Sequence, residues 1–167
     1  MKKIIAISLM VVMLLSLASC SAFNKTYEAE GFSIELSPTF IDGKDIADKV
    51  MEQSSYSGRY AAYTSLIEGI TIIAGTDSLE NYNGNVYAYA EDMAVSFDVD
   101  PYDVFMLNGA PAFECYQDFY AFEMQAIAIC YETDNGEVWF VTAMCKPEKF
   151  EEKREKMIEY LESVEVE

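Results

Sequence analysis

The sequence of 167 residues contains no histidine. This absence excludes Ser-His-Asp and Cys-His catalytic sites and every zinc site that needs a histidine ligand. Neither a phosphate-binding loop nor a dinucleotide-binding glycine motif is present. Carboxylate pairs remain, but among 29 acidic residues a pair at catalytic spacing is expected by chance. The sequence therefore predicts a protein that is not an enzyme and that holds no cofactor.

Basic residues are also scarce, since 11 lysines and arginines oppose 29 acidic residues and give a net charge of −18. Such a surface repels nucleic acid and anionic lipid, so we expect neither as a partner of the domain surface. Five basic residues lie in one short stretch and alternate with glutamates, which indicates a solvated helix face with ion pairs four positions apart. They are Lys146, Lys149, Lys153, Arg154 and Lys156.

One apolar segment, residues 4–17, follows Lys2 and Lys3. It is shorter than the roughly 20 apolar residues of a transmembrane helix and is typical of a cleaved signal peptide. It ends in Leu-Ala-Ser-Cys at residues 17–20, which resembles the lipobox of bacterial lipoproteins. The resemblance implies cleavage before Cys20 and a diacylglycerol on its thiol. The alternative is an ordinary secretory signal in which Cys20 is incidental.

This interpretation divides the chain into three parts. We expect residues 1–19 to be the signal peptide, residues 20–26 the lipidated N-terminus and a short tether, and residues 27–167 a single α+β domain. The removed segment carries two lysines and no acid, so the remaining 148 residues have a net charge of −20. That length suffices for one hydrophobic core. We expect the domain on the extracytoplasmic face of the cell membrane, attached through lipid on Cys20.

The first half of the domain is predicted to form three strands and two helices. The strands cover residues 32–36, 59–68 and 70–74, and a helix runs from Asp42 or Asp45 to about Ser54. Ser78 opens the second helix, whose apolar residues recur at steps of three and four. They are Leu79, Tyr82, Val86, Ala90, Met93 and Phe97. We expect this periodicity to override the turn signal Asn83-Gly84, at a cost of about 1 kcal/mol for the glycine.

Hairpin signals at Asn108-Gly109 and at Asp134-Asn135-Gly136 divide the second half into strands. We predict strands over 103–107, 112–116, 124–131 and 138–145, then an amphipathic helix that starts at Lys146-Pro147. Alternate residues of 126–131 are all apolar, so both faces of this mostly antiparallel sheet must be covered. Helices on both faces satisfy that requirement.

Several segments together resemble the PsbP/Mog1-like domain. They are Gly-Phe-Ser-Ile-Glu-Leu-Ser-Pro at 31–38, the central helix, Asn-Gly-Ala-Pro-Ala-Phe-Glu at 108–114, and Val-Trp-Phe-Val at 138–141 before a terminal helix with Phe150. The resemblance covers most of residues 27–165. It implies an α/β/α sandwich, and it implies a non-catalytic assembly or binding module. It does not carry over the photosystem or GTPase-linked roles of some members, because fold alone does not determine function.

Three cysteines lie beyond the predicted anchor: Cys115, Cys130 and Cys145. A hairpin centred between Phe122 and Glu123 would place Cys115 opposite Cys130, and a disulfide between them would suit an exported protein. A second hairpin, centred on Asn135-Gly136, would place Cys130 opposite Val141, with Cys145 on the same sheet face. The alternative, which we favour slightly, is three reduced thiols that act as small core residues.

Two further patterns suggest binding. Asp98, Asp100 and Asp103 place three carboxylates in one loop, a set that calcium could use although its spacing differs from the EF-hand loop. Aromatic residues cluster twice, and such clusters can anchor a partner or stack on a ligand, although more often they fill a core. The clusters are Tyr56, Tyr60 and Tyr63, and then Phe119, Tyr120 and Phe122.

Two functions remain as hypotheses. The first is a lipid-anchored cell-envelope module that binds or helps to assemble another exported protein, with Phe119, Tyr120 and Phe122 as the predicted partner contact. The second is a surface lipoprotein that binds a small ligand or calcium.

Overall fold

The computed structural model of the chain describes residues 24–43, 45–46, 58–119 and 122–167. The helix predicted from Asp42 or Asp45 to Ser54 falls largely outside these residues, as do Cys20, Tyr56 and Tyr120. Within the described ranges, no helix is both long and apolar enough to cross a membrane.

A small antiparallel sheet brings together the first and last strands of the described chain. Its strands, in spatial order, are β1 (Lys25–Ala29), β2 (Phe32–Leu36) and β10 (Glu165–Val166). The prediction of β2 is confirmed, and its apolar residues Phe32, Ile34 and Leu36 are buried while Glu35 is exposed. This alternation is the pattern of a strand with one covered face.

The large sheet has seven strands, and every adjacent pair in it is antiparallel. The strands are β3 (Ile41–Asp42), β4 (Tyr60–Ser65), β5 (Ile70–Ser78), β6 (Phe105–Leu107), β7 (Ala110–Phe119), β8 (Phe122–Glu132) and β9 (Glu137–Cys145). Their spatial order is β3-β4-β5-β9-β8-β7-β6. The predicted mostly antiparallel sheet is confirmed. At the β6–β7 turn, Asn108 and Gly109 both have positive φ, as a two-residue hairpin requires.

The helices that are described over their whole length are α1 (Val86–Ser96) and α2 (Phe150–Glu162), and residues 45 and 46 are also helical. The prediction that α1 starts at Ser78 is wrong, because β5 continues to that residue. The turn signal prevails instead: Asn83 and Gly84 both adopt left-handed conformations. The Asn85 side chain then caps α1 by accepting the N–H groups of residues 87 and 88. Helix α2 follows a 3-10 turn at Pro147–Lys149, close to its predicted start.

The buried side chains form two separate cores, and alternate residues of β8 enter different ones. Ile127 belongs to the first core, which also contains Met157 of α2 and the apolar residues of β2. Ala128 belongs to the second core, which also contains Ala90 of α1. This arrangement accounts for the absence of any polar face along the middle of β8.

Candidate functional site

The β7–β8 hairpin extends beyond its neighbour in the large sheet. Strand β9 ends at Cys145, which pairs with Gln125 of β8. The β7–β8 ladder continues past this point to the pair Phe119 and Phe122. The outer part of the hairpin is therefore a two-stranded arm without β9 beside it, and its side chains are less covered than those of the sheet centre.

Aromatic side chains concentrate on this arm. Phe122 is 64% exposed, and its cross-strand partner Phe119 packs partly against the second core. Tyr116, on the opposite face of the arm, is 56% exposed. Strand pairing holds these rings in defined positions, so a partner would bind them at a small entropic cost. Of the predicted contact residues, Tyr120 lies outside the described part of the chain.

Two acidic residues on the arm face each other. Asp118 pairs directly with Glu123 across the two strands, and both are exposed. Like charges at directly opposed positions destabilise a hairpin. A basic group on a partner would relieve this repulsion. The arm therefore offers apolar rings and a pair of negative charges within the same short segment.

Of the other aromatic cluster, Tyr63 belongs to the core, and Tyr56 lies outside the described residues. Tyr63 is buried, and its ring centre lies 5.1 Å from that of Tyr27. Burial raises the pKa of Tyr63 to about 12, with Asp42 and Tyr27 contributing. Tyr60 is half-buried at the start of β4. Tyr63 thus packs between the two sheets and presents no face to a ligand.

The predicted calcium loop does not gather its carboxylates. Among the described residues, which include Asp98, Asp100 and Asp103, no group of three His, Cys, Asp or Glu side chains could hold a metal ion. Asp100 instead caps the 3-10 turn Pro101–Asp103 by accepting the N–H of Tyr102 at 3.0 Å. A local capping role accounts for this aspartate.

The basic stretch forms ion pairs, as predicted, but with a different spacing. Lys149 pairs with Glu152 and Lys156 with Glu159, each at 2.8 Å and three positions apart rather than four. Arg154 reaches from α2 to Glu114 of β7 at 2.6 Å. The exposed pairs contribute little to stability, about 0–1 kcal/mol each.

The predicted geometry of the three thiols is wrong for both hairpins. Strand β7 is paired so that Cys115 faces Ala126, not Cys130, because the hairpin tip lies between Phe119 and Phe122. Cys130 pairs with Phe140, one position from the expected register, and this shift puts Cys145 in the first core and Cys130 in the second. A one-residue shift reverses which face a side chain occupies. All three cysteines are free and buried.

Burial also makes these thiols unreactive. It raises the pKa of Cys115 to about 12 and raises those of Cys130 and Cys145 as well. The thiolate is the nucleophile, so almost none is present at neutral pH. We predict that none of the three reacts with an aromatic disulfide reagent in the folded protein and that all three react in denaturant.

The exposed Asp118→Cys variant is the positive control for that measurement, and it should add one thiol that reacts at once. Detection of only one of the three native thiols in denaturant without reductant would instead reveal a disulfide and contradict the reduced state.

A second exposed apolar site, which the sequence did not predict, is the β4–β5 turn at residues 66–69. We predicted a strand through Glu68, whereas β4 ends at Ser65. Leu66 and Ile67 therefore lie in the turn and are 89% and 82% exposed. The pair Glu68-Gly69 indicates a turn in the sequence, but it does not indicate that the turn already includes Leu66 and Ile67.

Hydrogen bonds to Glu68 hold this turn in place. Its carboxylate accepts the hydroxyls of Thr39 at 2.9 Å and Tyr160 at 2.7 Å, and its N–H donates to the Ser65 hydroxyl at 3.1 Å. Burial alone would raise the pKa of Glu68, but hydroxyls from Ser37, Tyr160 and Thr39 outweigh it and lower the pKa. The carboxylate is therefore charged at neutral pH and fixes an apolar turn to α2 and to the turn that precedes β3.

No protein-family model matches this chain, and no curated protein matches its sequence. Several solved structures share its fold. A crystal structure from Bacteroides thetaiotaomicron gives a TM-score of 0.54 with 6% identity over 86% of this chain, which spans only 48% of that structure. At this identity the similarity concerns the fold and not the function.

Two further matches carry the names of the domain that the sequence resembles. Cyanobacterial PsbP from Synechocystis gives a TM-score of 0.49 with 10% identity, covering 87% of this chain and 94% of that one. A mutant of protein Mog1 gives 0.48 with 9% identity, covering 86% and 95%.

Proposed function

We propose that the protein is a lipid-anchored cell-envelope protein whose domain is a non-catalytic interaction module for another exported protein. Cys20 carries the lipid, and the domain lies on the extracytoplasmic face of the membrane. The observation that supports the interaction role is the projecting β7–β8 arm, where Phe122 is exposed at the end of two paired strands. Preformed aromatic anchors of this kind are enriched at binding hot spots.

The chemistry of the arm defines the partner that we propose. An apolar pocket would accept Phe122, and basic side chains would pair with Asp118 and Glu123, whose mutual repulsion in the free protein would then be relieved. The partner is thus an exported protein with a basic, partly apolar surface. A small-ligand function has no comparable support among the described residues.

The proposal includes the architecture. We interpret the domain as a PsbP/Mog1-like α/β/α sandwich, with α1 against one face of the large sheet and α2 against the other. This interpretation is supported by the side chains of β8, which alternate between two cores. One core includes residues of α1 and the other includes residues of α2.

The test is crosslinking in intact cells followed by mass spectrometry, with the full-length protein and two variants. Phe122→Ser should lose the captured partner, because removal of a hot-spot aromatic weakens binding by about 2 kcal/mol or more, which is roughly 30-fold. Tyr102→Ser removes another aromatic, 93% exposed and outside the arm, from the 3-10 turn before β6, and should capture the partner normally. The same dominant partner from Phe122→Ser and from the unchanged protein would contradict the proposed site.

A further inference from the structure

Several exposed features lie at one end of the large sheet. A row of paired residues crosses the sheet near that end, through Thr64, Thr71, Met144, Ala126 and Cys115. Beyond this row lie the β4–β5 turn, the end of β9 and the tip of the β7–β8 arm, because neighbouring strands are antiparallel. We call this end of the large sheet the tether end, because the N-terminal chain enters the domain there.

The N-terminal chain enters the domain at the same end. Lys25, the first residue of β1, pairs with Leu36 at the end of β2. The next residue, Ser37, shares a hydrogen bond with Thr39, and Thr39 donates to Glu68 in the β4–β5 turn. The start of β1 therefore lies near that turn. Five residue steps separate Lys25 from Cys20, which limits the tether to about 18 Å even when fully extended.

The turn at the tether end is apolar and rigid. Leu66 and Ile67 have the most exposed aliphatic side chains of the described residues. Ile41 is also more than half exposed and pairs with Thr64, two residues before the turn. Exposed apolar side chains on a hydrogen-bonded turn indicate a contact surface, since a soluble domain gains nothing from them in water.

Lysines flank the turn. The Lys153 side chain lies alongside Gly69, and Lys146 and Lys149 precede α2 directly after the end of β9. Lys149 also pairs with Glu152, so the lysines are interspersed with acids. Acidic residues also lie at this end, namely Glu68 in the turn and Asp118 and Glu123 on the arm. The lysines therefore form a local basic border to the turn within an acidic surface.

We propose that the β4–β5 turn is a membrane-contact loop, in which Leu66 and Ile67 enter the headgroup region of the bilayer that holds the anchor. This inference rests on the proposed lipidation of Cys20. Lys149 and Lys153 then lie at the level of the lipid phosphates, where lysine is favoured. We infer that the turn contacts lipid rather than a protein, because the short tether alone brings this apolar turn to the bilayer surface.

The contact would also orient the interaction site. The β4–β5 turn and the tip of the β7–β8 arm are three strand spacings apart, which is about 14 Å. With the turn in the headgroups, the arm lies beside the membrane. Its partner would then have to present its binding surface close to the bilayer.

The test uses the full-length lipidated protein, purified and reconstituted into vesicles of phosphatidylcholine, whose net charge is zero, with or without brominated acyl chains. Ile67→Trp places a fluorophore in the turn, and Asp134→Trp places one at the opposite end. The native Trp139 is fully buried and provides a constant background. We expect the emission of Ile67→Trp to shift to the blue and to be quenched by brominated lipid, and that of Asp134→Trp to remain unchanged.

Mass spectrometry of the Cys20 peptide separates the two proposals. If the peptide carries no lipid, the anchoring fails, and the membrane-contact loop fails with it. If the lipid is present and Ile67→Trp is not quenched, the loop proposal is overturned while the anchoring stands. Equal quenching of both variants would overturn the defined orientation. Leu66→Trp, checked by circular dichroism, replaces Ile67→Trp if the latter does not fold.

Discussion

Cys20→Ala is expected to abolish fatty-acid incorporation and to leave the signal peptide uncleaved by the lipoprotein peptidase. The thiol of Cys20 is the proposed site of acylation, so the variant has no group to which the lipid can be attached. Each buried methylene contributes about 0.8 kcal/mol, so two acyl chains dominate every other membrane interaction of the cleaved protein. The measurement is metabolic labelling with a fatty acid, together with fractionation of the cells.

The matched control is Ser21→Ala, one position further along, which should remain labelled and in the membrane fraction. Unchanged labelling of Cys20→Ala would contradict the lipobox interpretation. The expected result is a larger, unlabelled protein that the uncleaved segment 4–17 keeps in the membrane fraction. If the unchanged protein also carries no label and both proteins are cleaved normally, the segment is an ordinary secretory signal in which Cys20 is incidental.

The positions of turns with strong signals could be predicted from the sequence, but the strand register was wrong at two hairpins, including the β8–β9 hairpin with its Asn135-Gly136 signal. Asn108-Gly109 places its turn correctly because both residues tolerate positive φ. Between Phe119 and Phe122 no glycine, proline or asparagine marks the turn. The pairing of β7 with β8 depends there on which side chains each core accepts, and the prediction for Cys115 failed for that reason.

The start of α1 shows a different limit. Leu79 and Tyr82 have helical spacing with the later apolar residues and do pack into or against the second core. They reach it from an irregular segment and a 3-10 turn, not from the helix itself. Periodicity thus predicted burial correctly and secondary structure incorrectly, since a chain can bury residues at this spacing without forming a helix.

The β4–β5 turn depends on contacts that no local pattern contains. The Glu68 carboxylate accepts hydrogen bonds from Thr39 and Tyr160, which lie 29 and 92 positions away in the sequence. Only the fold brings these hydroxyls to one carboxylate. The exposure of the adjacent Leu66 and Ile67 therefore could not be derived from composition or spacing, whereas a contact at the exposed Phe122 could at least be proposed.

Trp139 connects the small sheet to the large one. It is fully buried in β9, and its ring centre lies 4.9 Å from that of Phe32 in β2. The guanidinium carbon of Arg59 lies 5.4 Å from the ring centre, and this arginine also donates to the carbonyl oxygen of Glu30 and to the Glu137 carboxylate. The contact holds the N-terminal sheet, which would bear the tether, against the rest of the domain.

We predict that Trp139→Ala lowers the free energy of unfolding by about 3–5 kcal/mol, the usual cost of removing a large aromatic side chain from a core. Trp139→Phe should cost far less. No described group accepts a hydrogen bond from the indole N–H of Trp139, so the change to phenylalanine breaks no hydrogen bond. It also removes an unpaired buried donor, whose burial costs about 1–3 kcal/mol. Urea unfolding followed by circular dichroism measures both variants.

Comparing the stabilities of the two variants tests whether packing of the Trp139 ring holds the small sheet against the large one. If ring packing is the main contribution, stability follows the apolar volume retained, and Trp139→Phe lies near the unchanged protein. If Trp139→Phe is as destabilised as Trp139→Ala, the indole N–H has a partner in solution and packing is not the main term. Arg59→Lys removes the planar stacking group while keeping the charge, and it should show an intermediate loss because guanidinium stacking contributes beyond charge alone.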